Sequence, residues 1–480
     1  MEWRSRNVVR AFFLLVLLVP AGAIGWTFAT ATDSAGSGAD EPASLSGVVT
    51  SLVGGQPSQS DLRLLDEART EGVDTGPLTL VTTQGYYTPD AAPQLVAFAE
   101  NGTPLYRDTT YDGYFDVDPV TNVTDTVEYV AATHREQDCP TQGVSKCTRN
   151  VVVRANLTAD TERVVYSAVT PRIEATRWHD VDRINDTHLV VADIAADDVF
   201  VVDTRTDSVV WRWEAASTYA GSGDDRHDWT HLNDVEALDD GRILVSIRNM
   251  NEVLFLDPGE GVQREWTLGD RTTASILDEQ HNPDYIPAEQ GGPALLVADS
   301  QNNRIVEYQR MAGSWQRSWQ FQDSKMQWPR DADRLPSGNT LVTDTNTNRV
   351  IEVAPNGTVV WEVAVGMPYD VERLGTGDES SGGQSMATLQ GKSVVDREGG
   401  VTVSPDRGLF GAAWVWLKGV TPSRVANGLL FVAPAWVQFS DLVFGVCILL
   451  VGLCWGSVEL YWSRYEPMAR IGGLSRRFRR

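Results

Sequence analysis

Six histidines occur among the 480 residues, and three of them, His179, His231 and His281, fall at or beside matching points of an internal repeat. A chain that gathers imidazoles at one register has the means for two chemistries. Neutral imidazole is a common ligand for zinc and related ions. It is also a nucleophile and a proton carrier, and beside a guanidinium and an amide that steady an anion it can run a group transfer. Asn233 and Arg330 stand at the register of the histidines and would supply those two partners. These residue types alone leave both chemistries open. No Ser-centred elbow, phosphate loop or dinucleotide fingerprint accompanies them.

The register is defined by a tetrad: Phe115-Asp116-Val117-Asp118, His179-Asp180-Val181-Asp182, Asn233-Asp234-Val235-Glu236, His281-Asn282-Pro283-Asp284, Arg330-Asp331-Ala332-Asp333 and Tyr369-Asp370-Val371-Glu372. After most tetrads come a polar turn and an apolar strand, such as Leu189-Val190-Val191-Ala192 or Leu295-Leu296-Val297-Ala298. A third strand follows, then a fourth that carries Trp211, Trp266, Trp319 or Trp361. Four short strands per unit, at a period of roughly 40 to 60 residues, predict an all-β fold of propeller type. The strands near Leu78-Thr79-Leu80-Val81 lack a tetrad before them, and the tetrad at Tyr369 lacks a full blade after it. Those halves are expected to join as a sixth blade, which leaves no exposed sheet edge.

In such a ring the innermost strand of each blade lies along the central axis, so the first residue of each tetrad crowds one mouth of the channel. That places His179, Asn233, His281 and Arg330 together, with Phe115 and Tyr369 completing the ring. His231, two residues before Asn233, points the same way if the chain is extended there. For one histidine, satisfying backbone groups at a blade entrance is the commoner role. Convergence of three favours a site.

Asp228-Trp229-Thr230-His231-Leu232-Asn233-Asp234-Val235, followed by Ile243-Leu244-Val245-Ser246-Ile247-Arg248, resembles a motif pair of the arylsulfotransferase family. Gln280-His281-Asn282 with Asp299-Ser300-Gln301-Asn302-Asn303-Arg304, and Arg334-Leu335-Pro336-Ser337-Gly338-Asn339-Thr340-Leu341, resemble two more of its motifs. The resemblance implies a six-bladed exported propeller that moves a sulfuryl group between phenols through a sulfated histidine, with no nucleotide donor and no cofactor. By position it implies catalytic roles for His231 and His281, a polar supporting role for Asn233 and a sulfuryl-binding role for Arg304. In the family the sulfated histidine lies in a blade after the Gln-His motif, whereas no histidine follows His281 in this chain and Arg330 holds the nearest repeat position. The Asp299 to Ile351 region also resembles propellers of the NHL type, many of which bind without doing chemistry.

Outside the ring, Arg4, Arg6 and Arg10 precede an apolar run from Ala11 to about Ala31, long enough at about 20 residues to cross a bilayer. It reads as an uncleaved anchor or, because of Ala29-Thr30-Ala31, as a signal segment. Residues 32–75 read as a flexible linker, 76–375 as the propeller, 376–437 as an interfacial segment with Trp414, Trp416, Phe431 and Trp436, 438–462 as a second span and 463–480 as a basic tail. Arginines beside both spans predict cytoplasmic termini and an outward-facing ring on the cell membrane, in contact with its lipids. Export agrees with sequons at Asn101, Asn122, Asn156, Asn185 and Asn356, and with Cys139 and Cys147 as candidates for a local disulfide.

The net charge of -25, with only Lys146, Lys325, Lys392 and Lys418 as lysines, resembles proteins of extreme halophiles and opposes nucleic-acid binding. The expected function is a membrane-anchored arylsulfotransferase-like enzyme. It would take a small-molecule sulfate donor and a hydroxyl acceptor, using His281 and His231 as catalytic residues, Asn233, Arg304, Arg330 and His179 as substrate-binding residues, and no metal. The alternative is a non-catalytic propeller that binds a glycan, a peptide or another envelope component.

Overall fold

A computed structural model describes residues 2–33, 62–85, 91–141, 143–173, 176–219, 228–395, 421–434 and 437–477. The helices are α1 (Glu2–Asp33), α2 (Leu65–Thr70), α3 (Met386–Leu389), α4 (Ser423–Val432) and α5 (Phe439–Arg477). The chain divides into two compact units, Ser58–Ala435 and Met1–Pro57 with Trp436–Arg480.

The first unit is a six-bladed propeller of antiparallel sheets. Each tetrad lies in or at the start of an innermost strand: Gly113–Pro119, Trp178–Asn185, Leu232–Ala237, His281–Ile286, Pro329–Asp331 and Pro368–Arg373. The second and third strands are packed on both faces, so they read as unbroken apolar runs; Ile243–Ile247 and Ala294–Asp299 are buried throughout. Outer strands keep one wet face, and Val359–Ala364 alternates between half-buried and exposed residues. Clusters such as Val190, Leu232, Val245 and Leu254 fill the wedge between successive blades. The fourth-strand tryptophans behave as expected except Trp266. That blade's outer strand is split into Gly261–Val262 and Leu268–Gly269, and Trp266 sits in the 3-10 turn between them.

Closure follows the expected route. Thr79–Thr83 pairs on one side with Gln94–Phe98 and on the other with Pro368–Arg373, with Val81 opposite Val371. Part of the stretch read as linker is built into the ring. Leu62–Arg63 pairs with Pro104–Asp108 as an extra edge strand, and α2 buries Leu65 and Ala68. These few apolar residues are lost in a polar average over the segment, but they suffice to dock it. Past the ring, Val394–Val395 adds in parallel to Ser314–Gln322.

Cys139 and Cys147 form a disulfide across the short loop between two strands of the first blade. All five sequon asparagines are in described segments; Asn101, Asn122 and Asn356 lie in turns, whereas Asn156 and Asn185 end strands.

The second and fourth tetrad residues form two stacked rings around the channel, roughly 7 Å apart at two residues of strand rise. One ring is Asp116, Asp180, Asp234, Asn282, Asp331 and Asp370; the other is Asp118, Asp182, Glu236, Asp284, Asp333 and Glu372. Many of these carboxyls brace neighbouring blades. Asp116 accepts from the backbone N–H of Val181 at 3.3 Å, Asp331 from Val371 at 3.0 Å, Asp370 from Val117 at 2.8 Å and Asp182 from Ala237 at 2.6 Å. An acidic residue at these points therefore replaces the ladder partner that an innermost strand lacks.

In the other unit, α1 and α5 each contain a segment apolar and long enough to cross a membrane, Arg6–Gly25 and Phe439–Ser463. The helices pack on each other: Phe13 stacks on Trp455 at 6.0 Å, and Arg10 pairs with Glu459 at 2.5 Å. Trp414, Trp416 and Trp436 lie outside the described residues.

Candidate active site

One mouth of the channel opens into a cavity of about 210 Å³, lined by His179, His231, His281, Arg177, Arg248, Arg330, Asp228, Gln84, Tyr369, Trp328, Ile194 and Phe431. It is smaller than the roughly 300 Å³ at which drug-sized ligand sites begin, and so suits a small anion carrying little more than one ring. Three positions of the blade repeat converge on it. Tetrad heads give His179, His281, Arg330 and Tyr369. Residues two places earlier give Arg177, His231 and Trp328. The first residue of the turn after the second strand gives Ile194 and Arg248.

His231 does not reach the cavity on an extended strand, as alternation predicts. Its φ is +47°, and Glu279, Trp328 and Met367, at the same place in the next three blades, are also left-handed at +51°, +53° and +54°. The chain thus turns sharply before entering each of these inner strands. Non-glycine residues held in this region are strained, and such strain collects where side chains must be aimed.

The hydrogen bonds fix the tautomers of the three imidazoles. Nδ1 of His179 lies 3.1 Å from the Arg177 carbonyl oxygen, and Nδ1 of His281 lies 3.2 Å from that of Glu279. A carbonyl only accepts, so each Nδ1 carries the proton. His281 Nδ1 also lies 2.8 Å from Ser300 Oγ, whose own hydrogen points to the Ala298 carbonyl. His231 Nδ1 donates to Asp228 Oδ1 at 2.6 Å. In every case Nε2 is left with the lone pair. Burial is the main force holding all three rings neutral, well below the usual histidine range, and the charges of Arg330 and Arg248 reinforce it for His231 and His281.

Burial also pushes the Asp228 carboxyl up to about 7, while Arg248 and Arg177 pull it down. With Asp228 raised and His231 lowered, the one proton in their contact sits either on the carboxyl, with the neutral ring then carrying its own proton on Nε2, or on Nδ1. We assign the proton to Nδ1, because two guanidiniums favour the carboxylate.

Arg248 donates to Glu279 at 2.9 Å, and Arg330 donates to Gln84 at 3.0 Å while lying over the Tyr369 ring at 4.9 Å. Phe115 stacks on His179 at 5.0 Å from behind. Phe431 comes from α4. That helix is anchored by Asn427, which donates to Gln301 at 3.2 Å and Asn303 at 3.0 Å, and by Arg424, which pairs with Asp278 at 2.8 Å. Phe431, which belongs to the segment read as interfacial, packs its ring 5.3 Å from Trp328 and forms part of the cavity wall.

Two expected residues are not brought to the cavity. Asn233 is fully buried and donates to the Gln280 carbonyl at 3.1 Å. Arg304 pairs with Asp299 at 2.6 Å and donates to the carbonyls of Ser275 and Ile276. Its guanidinium is spent on the blade, and Arg349 repeats the same clasp with Asp344 in the next one. The cations that do line the cavity, Arg177 and Arg248 beside Arg330, were legible in principle, since each occupies a fixed point of the repeat.

With three guanidiniums against one carboxylate, the cavity is a cationic patch in an acidic chain, and it presents unprotonated ring nitrogens beside them. That arrangement can hold an oxyanion and attack it. It is poorly suited to a metal ion: among the described residues, the groups of three or more ligand atoms lying within 4.8 Å of one another are all carboxylate sets, and none includes these histidines.

The arylsulfotransferase (ASST) family model matches residues 149–366 of this chain. The matched segment contains the three histidines, Arg177, Arg248, Arg304 and Arg330, and leaves Gln84, Tyr369 and Phe431 outside. No curated protein matches the chain significantly. Similar solved structures include a protein of unknown function from Bacteroides caccae, at 12% identity and a TM-score of 0.42 over 62% of this chain and 97% of that one. A putative 6-phosphogluconolactonase from Bacteroides fragilis shows 12% identity and a TM-score of 0.42, covering 63% and 98%. The periplasmic gluconolactonase of Pseudomonas aeruginosa shows 15% and 0.42, covering 62% and 99%.

Proposed function

We propose, from the arylsulfotransferase match and the cavity chemistry together, that this protein transfers a sulfuryl group from an aryl sulfate to a phenol or other hydroxyl acceptor through a histidine. The observation that carries the reading is the set of three neutral imidazoles, each with its Nε2 lone pair available, beside Arg177, Arg248 and Arg330 in one small cavity. A sulfate ester would place its oxygens against the guanidiniums and its ring among Tyr369, Trp328 and Phe431.

His281 is assigned as nucleophile. Ser300 and the Glu279 carbonyl hold its Nδ1–H, so Nε2 attacks sulfur, the S–O bond to the aryl group breaks, and the phenolate leaves. His231, oriented by Asp228, is assigned as the proton carrier. It takes the acceptor's proton as the acceptor oxygen attacks sulfur and the S–N bond breaks, and releases it to solvent, from which the phenolate expelled in the donor step takes one. Protons and charge balance over the cycle, and the two half-reactions predict ping-pong kinetics.

We place the ring on the outer face of the cell membrane, tethered by α1 and α5, with both termini in the cytoplasm. The pairing of Arg10 with Glu459 supports α1 as a retained anchor. The second reading, a binding propeller without chemistry, is favoured by Arg330 standing where the family's motif order would put a third histidine. Incubation at high salt with a panel of aryl sulfate donors and a phenol acceptor separates the two. Transfer supports the enzyme, and saturable binding of aryl sulfates without turnover supports the binder.

A further inference from the structure

The channel mouth remote from the histidines has its own chemistry. The loop 374–385 brings Asp378, Glu379 and Ser380 to a cavity of about 370 Å³ that also carries Asp182 and Glu236 of the lower carboxyl ring. Carboxyl oxygens of Asp284, Asp333 and Glu379 lie within 4.8 Å of one another. Ser380 donates to the second oxygen of Asp284, so the loop already touches the ring there.

Crowded acids alone would be unremarkable in this chain, because many ring carboxyls accept backbone N–H groups as blade braces. Like Asp234 Oδ2, Asp331 Oδ1 and Glu372 Oε2 elsewhere in the rings, Asp284 Oδ1 and Asp333 Oδ2 accept no hydrogen bond. Of these donorless ring carboxyls, only Asp284 and Asp333 belong to a triple close enough to share an ion. Each side chain is 1% exposed, and neither atom has a hydrogen-bond donor. A buried, donorless carboxyl oxygen costs more than a lost hydrogen bond unless a cation or a proton meets it.

We propose that Asp284, Asp333 and Glu379 bind a hard divalent cation of the calcium class, which pins the loop 374–385 across this mouth of the propeller. Oxygens within 4.8 Å of one another can share one calcium ion, whose bonds of about 2.4 Å put opposite ligands about 5 Å apart. Magnesium demands near-ideal octahedral geometry and dehydrates reluctantly, and would keep several waters between itself and the three groups. The donors are all oxygens, which disfavours copper, zinc and other metals that seek nitrogen or sulfur. Calcium would also supply the charge that the two donorless oxygens lack, and would join an inner strand of each of two blades to the loop beyond the sixth.

The test uses the full chain in detergent at molar potassium chloride, stripped with EDTA and dialysed against labelled calcium. The expected result is about one calcium per chain, weaker retention of magnesium, and a melting temperature that rises with calcium and falls back with EDTA. Asp333→Asn should weaken calcium binding roughly tenfold or more, since Asp333 belongs to this carboxyl group alone among the candidate sets. Absence of bound calcium in the folded wild-type chain would overturn the proposal, as would binding that Asp333→Asn leaves unchanged.

Discussion

Asp228 and His231 lie three residues apart on a tight turn, both with left-handed backbones, and the carboxyl of the first holds the Nδ1–H of the second at 2.6 Å. The pair is built from one local segment, which Asp197 of the preceding blade holds by accepting from the backbone N–H groups of Trp229 at 3.2 Å and Thr230 at 2.8 Å. His281, by contrast, is held by Ser300 of the following turn. In the proposed mechanism His231 is the proton carrier and His281 the nucleophile. Replacing His281 by Ala is expected to abolish sulfuryl transfer. His231→Ala should cost roughly 100- to 10,000-fold, and His179→Ala less. Asp228→Asn should lower turnover more than it weakens donor binding. Acid-labile label from a sulfate donor should map to the peptide containing His281; label on another residue would reassign the nucleophile.

The two arginines named first from sequence should behave in opposite ways. Arg330 lines the cavity, so Arg330→Gln is expected to raise KM for the sulfate donor or reduce turnover while leaving the melting temperature nearly unchanged. Arg304 clasps Asp299 within its blade, and Arg304→Gln strands a buried carboxylate. That loss is in the range of about 3 to 5 kcal/mol for a broken buried pair. It should appear as a lower melting temperature, with near-normal kcat/KM in the protein that remains folded. Equal kinetic effects of the two substitutions would contradict the geometry.

The pH dependence follows from the neutral imidazoles. Around them stand Arg177, Arg248, Arg330, Asp228, Tyr369 and one another, and burial leads the downward shift in each ring. Protonation of Nε2 would end nucleophilic attack. Since the folded pKa values lie below the ordinary value of about 6.5, activity should persist below pH 6.5 and fail only further into acid. The sign for stability is the reverse of the sign for a paired histidine: the unfolded chain binds these protons first, so the contribution is present above about pH 6.5 and declines as pH falls below it. A kcat/KM profile with its acid limb centred at or above 6.5 would show that the rings are not shielded as described.

Phe431 connects α4 to the cavity. Phe431→Ala removes one aromatic wall without touching a charge. It should weaken aryl donors several-fold more than it weakens inorganic sulfate, as measured by competition. If both ligands weaken alike, the ring contributes only to folding of α4.

For topology, protease added to right-side-out vesicles is expected to cleave within residues 32–437 and to spare the tail beyond Arg464. Cleavage of that tail in sealed vesicles would reverse the proposed orientation.

Much of the architecture is readable because propellers repeat. Six tetrads mark the inner strands, and the unmatched halves near Leu80 and Tyr369 mark the closing blade. The histidines followed from the same register. What escaped was whatever depends on turn conformation or on two blades at once. Arg304 looked like a site residue because its motif is rich in polar groups, yet Arg349 repeats the motif, and a feature shared by neighbouring blades is more often a clasp than a site. Arg177 and Arg248 were passed over although they stand two places before a tetrad and one place after a second strand. The left-handed turn at His231 recurs at Glu279, Trp328 and Met367, but on residue types that do not announce it, and the reach of Phe431 into the cavity has no period at all.

The joining of Thr79–Thr83 to Pro368–Arg373 also sets an order of events in synthesis. The three outer strands of the sixth blade, complete at Asp108, emerge early and must wait, with one edge open, until the strand that begins at Pro368 has been made. During that interval the strand Thr79–Thr83 is a template for any other extended chain. A nascent chain that stalls before Pro368 would carry five complete blades and still be prone to aggregate. Keeping that edge covered until the last inner strand arrives would therefore limit misassembly.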